Sequence, residues 1–276
     1  MAFACSIITM AATSGYSTVH KIARLSAIAM AVFPKVPNVR WKLAAYLLIF
    51  ATTVFAAVAW GPQDFLTRRV SKEPAVHIAA PDARVQVGGE CVSLLVEPGR
   101  GFTVTVCFYY RGLAVLAAHP MPVSDARQTL SPGPLPPGML AGEVVLEGST
   151  PYGLIVSGLV PPEQGREFLP VGGTDEVKVG EEATLLSGWK GPHRVRILGY
   201  AMRGKEQFLA IEFVEPDQVF EGGMSGSPIV QDDRVVGFAA ATLMTVSWKS
   251  PQIALARVAG EVFDGVRSIL ERSGVR

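Results

Sequence analysis

Short β-rich runs separated by turn residues are the feature that most limits what this chain can fold into. The runs begin near Val85, and turns are frequent because the chain holds 28 glycines and 20 prolines. They cover residues 91–96, 102–110, 113–117, 143–146, 153–156, 183–186, 195–200, 208–214, 228–230 and 235–241. No helical segment of crossover length separates neighbouring runs, which disfavours a parallel sheet. The sequence therefore predicts an all-β domain of two packed antiparallel barrels over residues 85–276.

Local patterns refine this prediction. The turn at 97–101 joins two runs as a hairpin, and a proline-rich stretch at 131–139 interrupts the series near its middle. Apolar residues recur at helical spacing near the C-terminus, at Val258, Val262, Val266 and Ile269. Charged residues occupy the other faces, so we expect one amphipathic helix that packs on the last barrel.

The N-terminal part carries an uncharged run of eighteen residues from Leu43 to Trp60. At about 1.5 Å per residue, a helix of this length just spans a bilayer core of about 30 Å. Basic residues precede it closely, and the positive-inside rule then keeps residues 1–42 cytoplasmic. We therefore expect a single-pass membrane protein with a signal anchor at 43–60, a linker at 61–84 and an extracytoplasmic domain at 85–276.

A cleaved signal peptide is the alternative interpretation of the same run. Residues 57–59 have the small-x-small form of a cleavage site, and a start at Met30 would leave a short basic n-region before the apolar core. Cleavage near Ala59 would then release a secreted protein. A buried helix of a soluble protein fits the length and the basic flank less well. The first two interpretations both export the C-terminal domain.

The composition excludes several classes of protein. The 25 basic and 24 acidic residues nearly cancel, so no nucleic-acid-binding surface is expected. Three cysteines are too few for a disulfide-dense scaffold or a four-cysteine zinc site. His20, His77 and His193 lack partners at metal-ligand spacing, so we expect neither a metal nor a cofactor. Cys91 and Cys107 lie in the two arms of the hairpin. We expect them to form either a disulfide or a pair of buried thiols.

A serine embedded in glycines is the first motif that indicates chemistry. Residues 222–230 read Gly-Gly-Met-Ser-Gly-Ser-Pro-Ile-Val, so Ser225 stands in a tight turn before an apolar strand. Glycine at 223 lets the backbone turn so that its N–H and that of Ser225 point at one spot. Two such N–H groups form an oxyanion hole for a tetrahedral intermediate. An ordinary glycine-rich turn is the alternative interpretation of the motif taken alone.

A histidine at the end of an apolar strand is the second motif. The run 112–118 is followed by His119, and the small residues before it allow the imidazole to approach a neighbouring barrel closely. The chain between His119 and Ser225 is long enough to complete one barrel and reach the other. A lone histidine of this kind is more often structural than catalytic. Together with the serine motif, it indicates a nucleophile with its general base.

These motifs resemble the trypsin-like serine peptidases and, more closely, the stage IV B sporulation peptidase family of bacteria. The resemblance covers about residues 101–241, and the methionine inside Gly-Met-Ser-Gly-Ser-Pro is its most specific feature. It is carried by His119, Ser124-Asp125, 142–144, 150–153, 176–180, 215–216, 223–230 and 235–237. It implies a trypsin-like double β-barrel and a membrane-associated serine endopeptidase that acts on proteins or peptides. The PDZ module of that family has no counterpart here, because the 61–84 linker is too short.

The acidic member of the triad departs from the general trypsin-like pattern. Ser149, Thr150 and Pro151 precede the strand at 153–156, where those enzymes carry an aspartate. The sporulation family instead places its aspartate before a proline shortly ahead of the serine, and the matching dipeptide here is Glu215-Pro216. The resemblance thus implies the triad His119, Glu215 and Ser225. Asp217 and Asp125 are the other candidates, and a solvated Glu215 would leave an inactive, peptide-binding protein of the same fold.

Overall fold

The computed structural model describes residues 70–97, 100–117, 127–162, 167–188, 191–242 and 253–273. Within these residues, fourteen strands and one long helix form in chain order. The strands are β1 (Arg84–Val87), β2 (Cys91–Glu97), β3 (Arg100–Tyr110), β4 (Leu113–Ala117), β5 (Gln128–Pro132), β6 (Leu140–Ser149), β7 (Gly153–Val160), β8 (Phe168–Pro170), β9 (Glu182–Ser187), β10 (Gly191–Arg203), β11 (Glu206–Phe213), β12 (Pro228–Gln231), β13 (Arg234–Thr242) and β14 (Ile253–Val258). The helix is α1 (Ala259–Ser273), and a 3-10 turn covers Thr174–Glu176.

The first barrel is an antiparallel sheet in the order β2-β5-β6-β7-β4-β3, closed by pairing of β2 with β3. Strands β1 and β8 extend this sheet beyond β3. Inward-facing residues of the barrel form an apolar core that includes Val104, Val106, Leu116 and Leu154. Strand β4 is buried along its whole length, which explains why its sequence shows no alternation.

The second barrel is closed in the order β10-β11-β14-β13-β12-β9, with β9 pairing with β10. Its core contains Leu185, Ile197, Leu209 and Ile229, all of which are fully buried. The prediction of an all-β protein with two antiparallel barrels is confirmed, and both barrels have six strands. Every predicted run coincides with an observed strand, although most strands extend further than the runs.

Four strands have no counterpart among the predicted runs. They are β1, β5, β8 and β14. Strand β8 has three residues and pairs only with β1, whereas β5 lies partly inside the proline-rich stretch and is held by β2 and β6. Strand β14 is buried at every position. A fully buried strand shows no period-two pattern, so its sequence does not distinguish it from a helix.

The C-terminal helix packs where the two barrels meet. Its buried residues Val262, Phe263 and Val266 belong to a cluster that also includes Phe108 of β3 and Phe238 of β13. The predicted helix is confirmed from Ala259 onward, whereas Val258, the first residue of the predicted apolar pattern, is the last residue of β14. Its docking differs from the expectation, because α1 contacts residues of both barrels and not only those of the last one.

Residues 70–83, here called the strap, lie against the second barrel. Main-chain hydrogen bonds join Ser71 and Tyr200 in both directions, at 2.9 and 2.7 Å. The amide of Gln207 then bonds to both main-chain groups of Val76, each at 2.8 Å. These residues form the second half of the segment that was predicted as a linker, and they contact the folded domain.

The predicted membrane span at 43–60 lies outside the described residues. Within the residues that the structure describes, no helix has the length and apolar character needed to cross a bilayer.

Candidate active site

The serine loop, residues 222–227, lies between β11 and β12 of the second barrel. Gly223 and Gly226 both adopt left-handed backbone conformations, with φ of 95° and 94°. A Cβ built on Gly226 would overlap the carbonyl oxygen of Thr105 in strand β3. Glycine is therefore required here, because the chain turns sharply and passes against the backbone of the first barrel.

Thr105 holds the serine loop onto the first barrel. Its main-chain N–H donates to the carbonyl of Ser225 at 2.8 Å, and its hydroxyl donates to the carbonyl of Gly223 at 2.6 Å. From the other side, the N–H of Gly226 donates to the carbonyl of Ala239 in β13 at 2.7 Å. The loop is thus fixed by hydrogen bonds from both barrels, and Ser225 lies at their junction.

Two buried residues of the serine loop have N–H groups without an acceptor among the described residues, and the exposed Gly222 is a third. The N–H of Met224 donates to the carbonyl of Glu221 at 3.2 Å, and that of Gly226 is bonded as described. Among the described residues, the N–H groups of Gly223 and Ser225 have no acceptor. A pair of free donors flanking one residue is the arrangement that an oxyanion hole requires.

Met224 anchors the loop in the second barrel. Its side chain is 1% exposed and belongs to the apolar core with Phe213 and Val195. The N–H of Glu221 donates to the Met224 sulfur at 3.4 Å. The methionine therefore stabilises the loop from the core of the second barrel, and the neighbouring Ser225 keeps 9% of its surface exposed.

The predicted general base, His119, lies outside the described residues. Strand β4, which leads to it, ends at Ala117. Ala117 and Gly226 line one cavity, so the strand before His119 and the residue after Ser225 meet at the junction of the barrels. The pairing of His119 with Ser225 stays a prediction.

Glu215 follows strand β11 and is partly buried. Its Oε2 atom is buried and has no hydrogen-bond partner. The pKa of Arg194 is raised, first by its hydrogen bond with Glu182 and by the charge of Glu182, with a smaller contribution from Glu215. The alternative acid Asp217 is exposed, and Asp125 lies outside the described residues. The role of Glu215 in a triad therefore stays a prediction.

The turn before β7 contains no carboxylate, and Thr150 organises it. The Thr150 hydroxyl oxygen accepts hydrogen bonds from the N–H groups of Tyr152 and Gly153, at 3.0 and 2.7 Å. The N–H of Thr150 donates to the carbonyl of Gly153 at 2.8 Å. A threonine-stabilised turn thus occupies the place where the general trypsin-like pattern would have an aspartate.

Cys91 and Cys107 are free thiols. The register of β2 and β3 pairs Cys91 with Thr105, so the two cysteines are not opposite each other. Burial raises the pKa of the Cys107 thiol well above its usual range. Of the two alternatives for this pair, the structure has separate thiols, and the buried one is unreactive because its thiolate is disfavoured.

In the described ranges, no three His, Cys, Asp or Glu side chains converge to form a metal-ligand cluster.

Sequence reasoning did not identify Thr105 as a site residue. Nothing in a β-rich run marks one threonine as the residue that bonds to a loop more than a hundred positions away.

The fold and the serine loop together define the class of this protein: a double six-stranded β-barrel with a serine in a glycine-rich turn at the barrel junction. Solved structures of serine proteases are similar to it at low sequence identity. The Rv3671c protease from M. tuberculosis in its active form matches 72% of this chain and 92% of its own, with 16% identity and a TM-score of 0.43.

A Nocardiopsis protease (NAPase) matches 67% of this chain and 95% of its own, with 15% identity and a TM-score of 0.40. No family model matches the chain, and no curated protein matches it. The resemblance to the stage IV B sporulation family stays a prediction.

Replacing Thr105 by Val tests whether this residue holds the serine loop. The change removes the hydroxyl that bonds to Gly223 and leaves a buried carbonyl without its main donor. We expect the free energy of unfolding to fall by about 1–3 kcal/mol in urea denaturation. We also expect a fluorophosphonate to modify Ser225 about tenfold more slowly, because the Gly223 N–H loses its fixed direction.

Thr103→Val is the matched control, because Thr103 lies on the same strand but is exposed and bonds only to Ser93 across the sheet. Equal effects of the two substitutions would show that the Thr105 hydroxyl has no special role in the loop.

Proposed function

We propose that this protein is a serine endopeptidase that cleaves protein or peptide substrates through a Ser-His-acid triad. The observation that carries the proposal is the free pair of N–H groups of Gly223 and Ser225 in a loop held by both barrels. A glycine-rich turn without function has no reason to leave the N–H groups of two buried residues without acceptors, since buried N–H groups are normally paired.

The proposed chemistry assigns one task to each residue. Ser225 Oγ attacks the carbonyl carbon of the scissile peptide bond while His119 accepts its proton. The N–H groups of Gly223 and Ser225 stabilise the oxyanion of the tetrahedral intermediate. His119 then donates the proton to the leaving amine, and a water molecule hydrolyses the acyl-enzyme by the same steps.

Glu215 is the proposed carboxylate that accepts the Nδ1–H of His119 and orients the ring. Its buried and unpartnered Oε2 atom supports this proposal, because such an oxygen needs a donor. Glutamate has one methylene more than aspartate. Its longer reach compensates for a loop between Glu215 and Ser225 that is shorter than in the sporulation peptidase family.

An inactive peptidase-fold protein that binds peptides or partners is the second candidate. It is favoured by the turn before β7, where Thr150 and not a carboxylate is present. The two candidates differ in the reactivity of Ser225, and this difference can be measured directly.

A fluorophosphonate probe should label the full-length protein at Ser225. Labelling should be absent in Ser225→Ala and retained in Ser227→Ala. Ser227 is a matched control, because it lies two residues away, is fully buried, and its Oγ has no hydrogen-bond partner that the substitution would remove. A folded wild-type protein that does not react would contradict the peptidase and favour the peptide-binding protein.

Replacing Glu215 by Gln should slow labelling by roughly 10⁴-fold without unfolding the protein, because the amide would orient the imidazole in the wrong tautomer. Glu181→Gln serves as a control on the same barrel, since Glu181 is exposed. The rate constant of labelling is measured for both variants together with circular dichroism. An unchanged rate in Glu215→Gln would remove this residue from the triad.

We further propose that the protein is anchored in the membrane by residues 43–60, with the domain at 85–276 outside the cytoplasm. Alkaline phosphatase fused after Arg276 should be active, and a cytoplasmic fluorescent reporter at the same position should be dark. An inactive phosphatase with a bright fluorescent fusion would reverse the proposed orientation. Protein size before and after export distinguishes a retained anchor from cleavage near Ala59.

A further inference from the structure

A cavity of about 130 Å³ lies at the junction of the two barrels and is not used by the proposed chemistry. Its apolar wall includes Ala117 of the first barrel, Phe238 and Ala240 of the second, and Val262 of the helix. Its polar wall consists of Tyr152, Arg203, Glu206 and Arg257. A cavity of comparable size, about 150 Å³, accommodates benzene in another protein, so the space is sufficient for a group of four to six carbons.

Arg257 is the principal polar group of this cavity. The residue is 9% exposed, and its guanidinium lies over the rings of Phe208 and Tyr152, at 4.0 and 4.7 Å from their centroids. Its Nη2 forms an ion pair with Glu206 Oε2 at 2.9 Å. The aromatic rings and Glu206 thus fix the guanidinium in one orientation.

The other end of the guanidinium is not satisfied. Arg257 Nη1 is buried and has no hydrogen-bond partner. The carboxylate oxygen Oε2 of Glu261 lies 3.9 Å from it, which is too long for a hydrogen bond, and this oxygen is also buried without a partner. A buried charged donor without an acceptor is costly, so a group that reaches Nη1 would be stabilised.

The charges around the cavity favour an anion. Arg203 and Arg257 are positive, and Glu206 compensates one of them. Glu261 is the other acidic residue near Arg257, but it is not one of the residues that line the cavity. Helix α1 begins two residues after Arg257, and its N-terminal end adds positive potential on the same side.

We propose that the junction cavity binds a carboxylate carried on a small apolar group. The carboxylate accepts hydrogen bonds from Arg257 Nη1, and the apolar body fills the space beside Phe238, Ala240 and Val262. Such a ligand is either the C-terminal residue of a peptide or a free small carboxylic acid. Ala117 and Gly226 also line the cavity. Its occupant therefore lies next to the end of β4 and to the residue that follows Ser225.

This proposal does not depend on a reactive serine, and it is tested in the full-length Ser225→Ala protein in detergent. The probes are isovalerate and N-acetyl-leucine, with their neutral amides isovaleramide and N-acetyl-leucinamide as controls. Binding is measured by titration calorimetry and by the shift of the melting temperature at constant ionic strength. We expect saturable binding of at least one carboxylate and at least tenfold weaker binding of its amide.

Two substitutions locate the binding. Ala240→Leu should abolish it by filling the cavity, and Arg257→Gln should weaken it at least tenfold by removing the cation. Arg111→Gln is the control, because Arg111 lies over Tyr110 on the first barrel and does not line the cavity. If Arg257→Gln does not fold, Ala240→Leu and the comparison of carboxylate with amide decide the question.

The outcomes distinguish a peptide C-terminus from a free carboxylic acid, and they show when the proposal is wrong. Tighter binding of N-acetyl-leucine indicates a peptide C-terminus, and tighter binding of isovalerate indicates a free acid. Equal binding of acids and amides, or binding that persists in Ala240→Leu, would overturn the proposal. Absence of binding by all probes would also overturn it.

Discussion

The hydrogen bonds between Thr105 and the serine loop are the interaction on which the geometry of the candidate site depends. Thr105 belongs to β3 of the first barrel, whereas the loop leads into β12 of the second. The loop is also bonded to Ala239, so neither barrel alone determines its shape. As a consequence, the directions of the Gly223 and Ser225 N–H groups depend on the packing of the two barrels, and we expect the stability of the junction to be coupled to the proposed chemistry.

The same junction contains Arg257, which is 9% exposed and forms an ion pair with Glu206. Elsewhere the cores of the two barrels are apolar. Burying a guanidinium is unfavourable unless other groups compensate it, and here Glu206 and two aromatic rings do so only in part. Arg257 Nη1 and Glu261 Oε2 therefore lie buried without hydrogen-bond partners close to where the barrels meet.

The sequence was sufficient to predict the architecture but not the contacts that assemble the site. Alternating and apolar runs identified most strands, and the left-handed turn at Gly223 followed from its motif. Strand β14 was missed because its uniform burial removes the alternation, and β5 was missed because pairing with its neighbours overrides the proline at its end. The partnership of Thr105 with Gly223 and the separation of Cys91 from Cys107 depend on register and long-range packing, which local patterns do not encode.

The most direct measurement of the central claim is a crystal structure of the protein after reaction of Ser225 with a peptide boronate. We expect a tetrahedral adduct on Ser225 with one boronate oxygen about 2.7–3.1 Å from the main-chain nitrogens of both Gly223 and Ser225. We also expect the hydrogen bonds of Thr105 to the loop to remain intact. An adduct whose oxygens point away from both N–H groups, or a boronate bound to another residue, would contradict this claim.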